Sequence, residues 1–157
     1  MICLMPIIAG QPVPSEVLKG LASQDIPISL IVSPSPPLRG ARSREVAINH
    51  NRDILQGMVT TKDPLVLLLD SDVVLDDPST ISKAIYYLHT NSLDCVCLDT
   101  KGLQNPNHVI AACAVIRTSK YLSLDFQSSP GTCQCMLISM VCRSAYHPTL
   151  SAHELPK

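Results

Sequence analysis

The chain has 157 residues, which is enough for one domain with a substantial apolar core. Apolar residues make up 46% of the sequence, but there are only four Tyr, one Phe and no Trp, so we expect a core of aliphatic side chains. The formal net charge of -1 gives no overall field that would attract nucleic acid. We therefore expect no nucleic-acid partner.

The Cys residues and the apolar runs bear on the cellular compartment. No apolar run reaches the ~20 residues that span a bilayer. Met1–Ile8 lacks the basic start of a signal peptide and contains Pro6. The seven Cys are an odd number, and most lie in apolar strand-like stretches, as reduced thiols do in proteins of the cytosol. These features predict a cytoplasmic protein without a transmembrane segment.

Strand and helix signals alternate along the chain. Pro14 opens the first helical stretch, and Asp77 is predicted to cap the third, with Pro78 at its first position. The C-terminal residues from Tyr146 are expected to start extended. The predicted strands are 2–8, 26–32, 64–69, 94–98 and 108–117, and the predicted helices are 14–25, 41–58, 77–88 and 133–143. This order predicts one α/β domain over residues 1–157, with a mostly parallel central sheet between two helix layers.

The strongest strand signal, PLVLLL at residues 64–69, leads into a pair of carboxylates. Its continuous apolar character indicates burial on both faces, and it ends in Asp70-Ser71-Asp72. Open α/β sheets bind ligands at such carboxyl ends. Side chains two apart on an extended segment share one side, so we expect both carboxylates to converge on one Mg²⁺ or Mn²⁺ ion. A simpler interpretation stays open, in which the two Asp residues only end the strand.

Five segments together resemble one protein family. LLLDSDVVLDDPSTISKAI (67–85) is similar to the metal-binding segment of glycosyltransferases with the GT-A fold, especially glycosyltransferase family 2. In chain order the other similar segments are 5–27, AINHNRDIL (47–55), AACAVIRTSKYLSLDF (111–126) and AYHPTLSAHE (145–154). The resemblance covers nearly the whole chain and implies a GT-A type, Rossmann-like fold.

The resemblance also implies an activity and a set of site residues. It implies a metal-dependent, inverting hexosyltransferase that takes a sugar from a nucleoside diphosphate, with a UDP-sugar favoured, to an unidentified acceptor. Asp72 would bind Mn²⁺ or Mg²⁺ directly, Asp70 would reach the metal through water or contact the ribose, and His153 would be the third metal ligand. The residues implied for nucleotide binding are Ala9, Asn51, Arg52, Asp70 and Ser71.

Two departures from the family pattern bear on activity. The stretch SSPGTCQCMLI (128–138) contains no acid where the family has its general base, and Cys133 or Gln134 stands there instead. Ser33-Pro34-Ser35 replaces the acidic residues that usually follow the second strand. The chain is also short for the family, so an acceptor site would be shallow or shared with a partner, which could be a second copy. The catalytic base is therefore unassigned.

Several alternatives remain open from the residues alone. The chain could be a degenerate module that binds a nucleotide sugar or a partner without turnover. A nucleotidyltransferase would also use paired carboxylates, but residues 9–20 offer few Gly and basic residues for gripping a nucleotide. The pairs Cys95/Cys97 and Cys133/Cys135 could bind zinc or simply belong to the core. His153 could be a solvated tail residue, and Arg52 part of an ordinary helix surface.

Overall fold

A computed structural model of the chain describes residues 1–35, 52–57, 64–100, 112–124, 138 and 140–156. The helices are α1 (Ser15–Ala22), α2 (residues 52–57), α3 (Thr80–Thr90) and α4 (Thr118–Ser123). The strands are β1 (Ile2–Ile8), β2 (Ser29–Ser35), β3 (Leu65–Leu69), β4 (Val73–Val74), β5 (Cys95–Asp99), β6 (Cys113–Arg117), β7 (Ser144–Ser151) and β8 (His153–Glu154). None of the described helices is long and apolar enough to cross a membrane.

The main sheet has six strands in the order β2-β1-β3-β6-β5-β7. Strand β1 pairs in parallel with β2 and β3, and β5 pairs in parallel with β7. Strand β6 lies between β3 and β5 and runs antiparallel to both. Five of the six strands therefore point in one direction, which confirms the predicted mostly parallel sheet. Strands β4 and β8 form a separate antiparallel pair.

Three proline residues within strands lie where the ladder can lack an N–H donor. Pro34 lies on β2 and Pro148 on β7, which are the two outer strands of the sheet. Pro6 lies on β1 beyond Leu4, the last β1 residue in register with β3. Proline cannot donate to a ladder and is tolerated mainly at such edges. The proline positions therefore agree with β2 and β7 as the outer strands.

The sheet buries an apolar cluster on each face. On one face, α1 and α3 cover alternate residues of β1, β3, β5 and β6. On the other face, Leu55 of α2, Tyr121 of α4 and Ile138 cover the remaining alternate residues. All five residues of β3 are buried, as its continuous apolar run predicts. The two clusters confirm the three-layer α/β/α architecture.

Helix α3 begins later than predicted. Asp77 does not cap the helix with Pro78 at its first position, because α3 starts at Thr80. The Asp77 carboxylate instead accepts hydrogen bonds from the Ser79 N–H at 2.9 Å and the Ser79 hydroxyl at 2.8 Å, while the Thr80 N–H donates to the Asp77 carbonyl. A local turn stabilised by the Asp side chain thus precedes the helix.

Helix α1 is fixed to the rest of the domain at two points near its C-terminal end. A Cβ atom at Gly20 would lie 2.8 Å from the Leu75 carbonyl oxygen, so the helix backbone lies directly on that segment. The buried Gln24 side chain donates to the carbonyls of Gly20 and Asp77 and accepts from the Ile81 N–H. These contacts hold α1 against the segment that joins β3 to α3.

Candidate functional site

The carboxyl ends of the parallel strands form one edge of the sheet. Strand β1 ends in the turn that contains Ala9 and Gly10, closed by the Gln11 N–H donating to the Ile8 carbonyl at 3.0 Å. Gly10 has φ +84°, a conformation that glycine adopts without strain. Strand β3 neighbours β1 in parallel and ends next to Asp70. Ala9 and the Asp70–Asp72 segment therefore lie at the same edge of the sheet.

The Asp70–Asp72 segment is a turn and not an extended strand end. The Val73 N–H donates to the Asp70 carbonyl at 3.1 Å, and Ser71 and Asp72 are the central residues of this turn. The prediction that strand alternation places both carboxylates on one side is therefore wrong. Its reasoning fails because extended geometry ends at Leu69. Any convergence of Asp70 and Asp72 would depend on the turn geometry.

The surroundings of the turn fix its backbone at both ends. The Asp70 N–H donates to the Ala112 carbonyl at 2.8 Å, which extends the ladder between β3 and β6. The Asp72 carbonyl accepts from the Leu155 N–H at 2.7 Å. Burial raises the pKa of the Cys113 thiol, and the Cys3 and Cys97 thiols and the charge of Asp70 add smaller contributions in the same direction. Backbone hydrogen bonds at both ends thus hold the turn that bears the two carboxylates.

The donor types at this turn suit a hard divalent cation. Asp70, Ser71 and Asp72 are all partly exposed and offer carboxylate and hydroxyl oxygens. Mg²⁺ and Mn²⁺ prefer oxygen ligands, and Mg²⁺ is commonly held by one or two carboxylates together with phosphate oxygens. Among the described residues, however, no three His, Cys, Asp or Glu side chains are grouped as metal ligands. The metal site stays a prediction, and the donor chemistry of the turn fits it.

His153 lies on β8, which pairs with β4, the strand that directly follows this turn. Strand β8 pairs with β4 so that His153 is opposite Val74 and Glu154 is opposite Val73. The His153 Nδ1 atom lies 2.8 Å from Asp76 Oδ2, and both side chains are more than half exposed. His153 is therefore part of a paired strand rather than a free tail residue. Its role as a metal ligand is not tested by this contact.

Arg52 lies at the start of the described part of α2. This helix packs on the sheet face opposite to the face that α1 and α3 cover. The Arg52 Nη1 atom donates to the Leu124 carbonyl at 2.7 Å, next to the end of α4. Its Nε atom is buried and has no hydrogen-bond partner in the part of the chain that the structure describes. The positive charge of Arg52 partly offsets the burial that raises the pKa of Tyr121. One guanidinium nitrogen thus binds the protein itself, and a contact with nucleotide stays a prediction.

Several sequence predictions fall outside the described residues. These are Asn51, the Cys133/Gln134 position and the second Cys pair, Cys133/Cys135. The first pair, Cys95 and Cys97, lies on β5 with both side chains buried on one face and their Sγ atoms 3.8 Å apart. The contact with the Cys97 thiol, together with burial, raises the pKa of Cys95, as expected of protonated core thiols. These two residues belong to the apolar core.

Sequence reasoning missed two polar contacts at the carboxyl edge. Asp76 pairs with His153, and the Thr100 hydroxyl donates to Glu154 Oε1 at 3.3 Å. Asp76 stands in the motif VVLDDP, directly before the predicted helix at residues 77–88. A strand signal at residues 153–154 could have indicated the pairing with β4, but a two-residue strand is too short to give one.

Comparison with solved structures identifies the architecture. No protein-family model matches the sequence, and no match was found among curated proteins. TarS 1-349 from S. aureus, also solved in complex with UDP-GlcNAc, matches with a TM-score of 0.64 and 13% identity over 98% of this chain and 59% of its own. The mannosyltransferase PcManGT from Pyrobaculum calidifontis, in complex with GDP-Man and Mn²⁺, matches with a TM-score of 0.65 and 13% identity over 99% of this chain and 57% of its own. The galactosyltransferase LgtC, in complex with donor and acceptor sugar analogs, matches with a TM-score of 0.52 and 11% identity.

These likenesses concern the fold, because the sequence identities are low. The chain spans less than two thirds of the length of TarS 1-349 and of PcManGT. Nearly all of this chain aligns with each of them, so the shared part includes the central sheet and the Asp70–Asp72 edge. The chain has the fold of GT-A glycosyltransferases.

Proposed function

We propose that the chain is a nucleotide-sugar glycosyltransferase domain that depends on Mn²⁺ or Mg²⁺ and follows the inverting pattern of glycosyltransferase family 2. The observation that carries the proposal is the Asp70–Asp72 turn, which stands at the carboxyl end of the buried strand β3 in a GT-A fold. Structures with this fold bind UDP-GlcNAc and GDP-Man. We infer that the donor is a nucleoside-diphosphate sugar, with a UDP-sugar as the first choice.

Each site residue has a proposed task. Asp72 would hold the cation and Asp70 would hold its water or the ribose, while Ala9 would border the base. The cation would supply positive charge where the departing diphosphate gains negative charge. Asn51 and Arg52 would face the nucleotide, and Ser71 would offer its hydroxyl to the same group. The five described Cys residues are unpaired thiols, which supports a cytoplasmic setting.

A second candidate is a binding module that holds a nucleotide sugar without turning it over. One sequence observation favours it, since residues 128–138 contain no acid at the position where the family has its general base. The chain also spans little more than half of TarS 1-349 and PcManGT, so an acceptor site could require a partner or a second copy. Release of nucleotide from UDP-GlcNAc or GDP-Man would distinguish the two candidates, because only the enzyme can catalyse slow hydrolysis of the donor.

The test is thermal unfolding with UDP, GDP and CDP, each with and without Mn²⁺, on the wild type, Asp72→Asn and Asp77→Asn. A ligand at about 100 times its dissociation constant stabilises by roughly 2.7 kcal/mol. For a domain of this size that raises Tm by roughly 5–10 °C. Asp77 is the matched control because it is an exposed carboxylate five residues after Asp72 whose hydrogen bonds are with Ser79 and Lys83. Asp77→Asn therefore removes the same charge without changing the Asp70–Asp72 turn.

We expect one nucleotide to raise the Tm of the wild type and of Asp77→Asn only when Mn²⁺ is present. The same nucleotide should leave Asp72→Asn unchanged, because that variant lacks the carboxylate that holds the cation. If no nucleotide shifts the wild type with or without Mn²⁺, the proposed function is wrong. In that case Asp70 and Asp72 form only the turn that ends β3.

A further inference from the structure

Strand β7 contains a bulge before it leads into β8. Cys97 of β5 is opposite Tyr146 of β7. Asp99, the second residue after Cys97, is already opposite Ser151. Residues 147–150 of β7 therefore stand against a single residue of β5. The backbone N–H groups of such extra residues need acceptors outside the ladder.

The side chain of His147 supplies the acceptor for two of these donors. Its Nδ1 atom accepts hydrogen bonds from the Thr149 N–H at 3.2 Å and from the Leu150 N–H at 3.0 Å. Pro148, which lies between, has no N–H to satisfy. Because Nδ1 can accept only while it is unprotonated, the neutral ring carries its proton at Nε2. These two hydrogen bonds therefore require the neutral form of His147.

The closed bulge places the following residues on the rest of the domain. Leu150 packs against the apolar cluster that α1 and α3 cover, and Ala152 is buried within that cluster. The Ala152 N–H donates to the Asp99 carbonyl at 3.2 Å, and the Leu155 N–H donates to the Asp72 carbonyl at 2.7 Å. Strand β8, between these two hydrogen bonds, has only two residues. So short a strand depends on the chain that leads into it, and here that chain is the bulge.

Titratable groups from two neighbouring elements surround His147. On α3, the Tyr87 ring centroid lies 4.8 Å from that of His147, and Lys83 carries a positive charge. On β5, Cys97 and Asp99 stand at the two ends of the bulge. Burial first, and then the charge of Lys83, lower the pKa of His147, so the closed bulge favours the neutral ring. An opened bulge would return the ring to water, and opening is therefore linked to protonation.

We propose that His147 is an acid-sensitive latch, whose unprotonated Nδ1 keeps residues 147–155 closed against the Asp70–Asp72 turn and whose protonation releases them. Protonation replaces the lone pair of Nδ1 by a hydrogen, so the Thr149 and Leu150 N–H groups lose their acceptor. The Leu155 N–H then leaves the Asp72 carbonyl, and the turn loses its backbone contact at that end. This latch is a property of the backbone and holds whether or not a nucleotide or a cation binds at the turn.

The test measures amide hydrogen exchange of the full chain by NMR, from about pH 7.5 to about pH 5, on both sides of the ordinary pKa of His. Exchange rates are converted to protection factors, which removes the effect of pH on the intrinsic rate. The amide of Leu150 reports on the bulge and that of Leu155 on the contact with Asp72. The amide of Leu67, in the fully buried strand β3, reports on global unfolding.

Three variants separate the latch from other effects of acid. His147→Asn keeps a side-chain acceptor for the N–H groups two and three residues on but does not titrate. His147→Ala removes the acceptor at every pH. His153→Asn is the matched control, because it removes the other histidine of residues 147–155, whose Nδ1 atom contacts the Asp76 carboxylate and not the bulge.

In the wild type we expect the protection of Leu150 and Leu155 to fall about tenfold per pH unit below about pH 6.5, until the closed ring itself is protonated. Leu67 should stay protected. His147→Asn should keep both amides protected across the range, His147→Ala should leave both exposed throughout, and His153→Asn should keep the acid response. The proposal is overturned if wild-type protection does not depend on pH, if His147→Asn opens in acid as the wild type does, or if Leu155 stays protected when Leu150 opens. Simultaneous loss at Leu67 would also overturn it, because the opening would then be global.

A second readout needs no variant. Long-range ¹H–¹⁵N spectra of the wild type at alkaline pH report which ring nitrogen of His147 carries the proton. We expect the Nε2–H form, since Nδ1 accepts from two backbone N–H groups. A ring with its proton on Nδ1 cannot hold the bulge and would overturn the proposal.

Discussion

Replacing Gly20 by Ala tests how closely α1 lies on the segment that leaves the Asp70–Asp72 turn. The added Cβ would lie 2.8 Å from the Leu75 carbonyl oxygen and 3.1 Å from the Leu75 nitrogen. Both atoms belong to backbone, which cannot rotate away as a flexible side chain would. Either α1 or the chain at Leu75 must therefore move.

The expected cost combines two opposing effects. Overpacking of this kind costs about 1–3 kcal/mol. Ala is a better helix former than Gly by about 1 kcal/mol, which offsets part of that cost. Because both close atoms are backbone, the overpacking cost should lie in the upper part of that range, about 2–3 kcal/mol, so after the offset Gly20→Ala should lower the free energy of unfolding by roughly 1–2 kcal/mol. For a domain of this size the Tm should fall by about 2–8 °C.

The assay is thermal and urea unfolding followed by circular dichroism, with Gly57→Ala as the matched control. Gly57 is also helical, and a Cβ at that position would have no atom within 4 Å. The control should therefore be neutral or slightly stabilising. A Gly20→Ala protein as stable as the wild type, or more stable, would refute the close seating of α1 on Leu75.

Three further predictions concern single side chains. Gln24→Leu should destabilise the domain by about 2–3 kcal/mol in urea unfolding, because the Ile81 N–H and the Asp77 carbonyl lose their buried partner; the exposed Gln11→Leu is the control, and equal stability of the two variants would contradict this role. Ser92 has the left-handed φ of 52° just after the end of α3. The Ser92 N–H donates to the His89 carbonyl and the Leu93 N–H to the Leu88 carbonyl, as in a Schellman motif. Because Gly adopts this conformation without strain, Ser92→Gly should stabilise the domain by about 1 kcal/mol. Asn91→Gly, at φ -98°, should give no such gain, and a neutral Ser92→Gly would show that the left-handed conformation is not strained. Burial and then the charge of Lys83 lower the pKa of His147 from 6.5, so the folded state favours the neutral ring and stability should decrease as pH falls below about 6.5. His147→Asn should flatten that decrease in chemical unfolding, and an unchanged pH dependence would argue against the role of His147.

The strand that carries the candidate site was predictable because its signals are local. A continuous apolar run gave β3 with all five residues buried, and Asp70 and Asp72 were correctly placed just after it. Turn residues are also a local signal, but the sequence does not say whether Asp-Ser-Asp continues the strand or turns. In the structure, the hydrogen bond from the Val73 N–H to the Asp70 carbonyl shows that these residues form a turn.

Other features depend on contacts between distant parts of the chain. The apolar run that contains β6 carries no information on direction, and its antiparallel placement between β3 and β5 follows from the packing of the whole sheet. His153 and Asp76 are 77 residues apart, and only the pairing of β4 with β8 brings them together. Helix α3 starts at Thr80 and not at residue 77 as predicted, because the Asp77 carboxylate stabilises a separate turn through Ser79. Local patterns could not determine these three outcomes.

Paramagnetic broadening by Mn²⁺ in ¹⁵N-labelled protein tests the central claim, that a cation and a nucleotide bind at the carboxyl edge of the sheet. We expect Mn²⁺ with UDP or GDP to broaden the amide signals of Ala9 and of residues 70–72. The signals of Asp94 and Arg143, which lie at the amino ends of β5 and β7, should keep their intensity. Broadening that is absent, or equal at both edges, would contradict a nucleotide-sugar site at the Asp70–Asp72 turn.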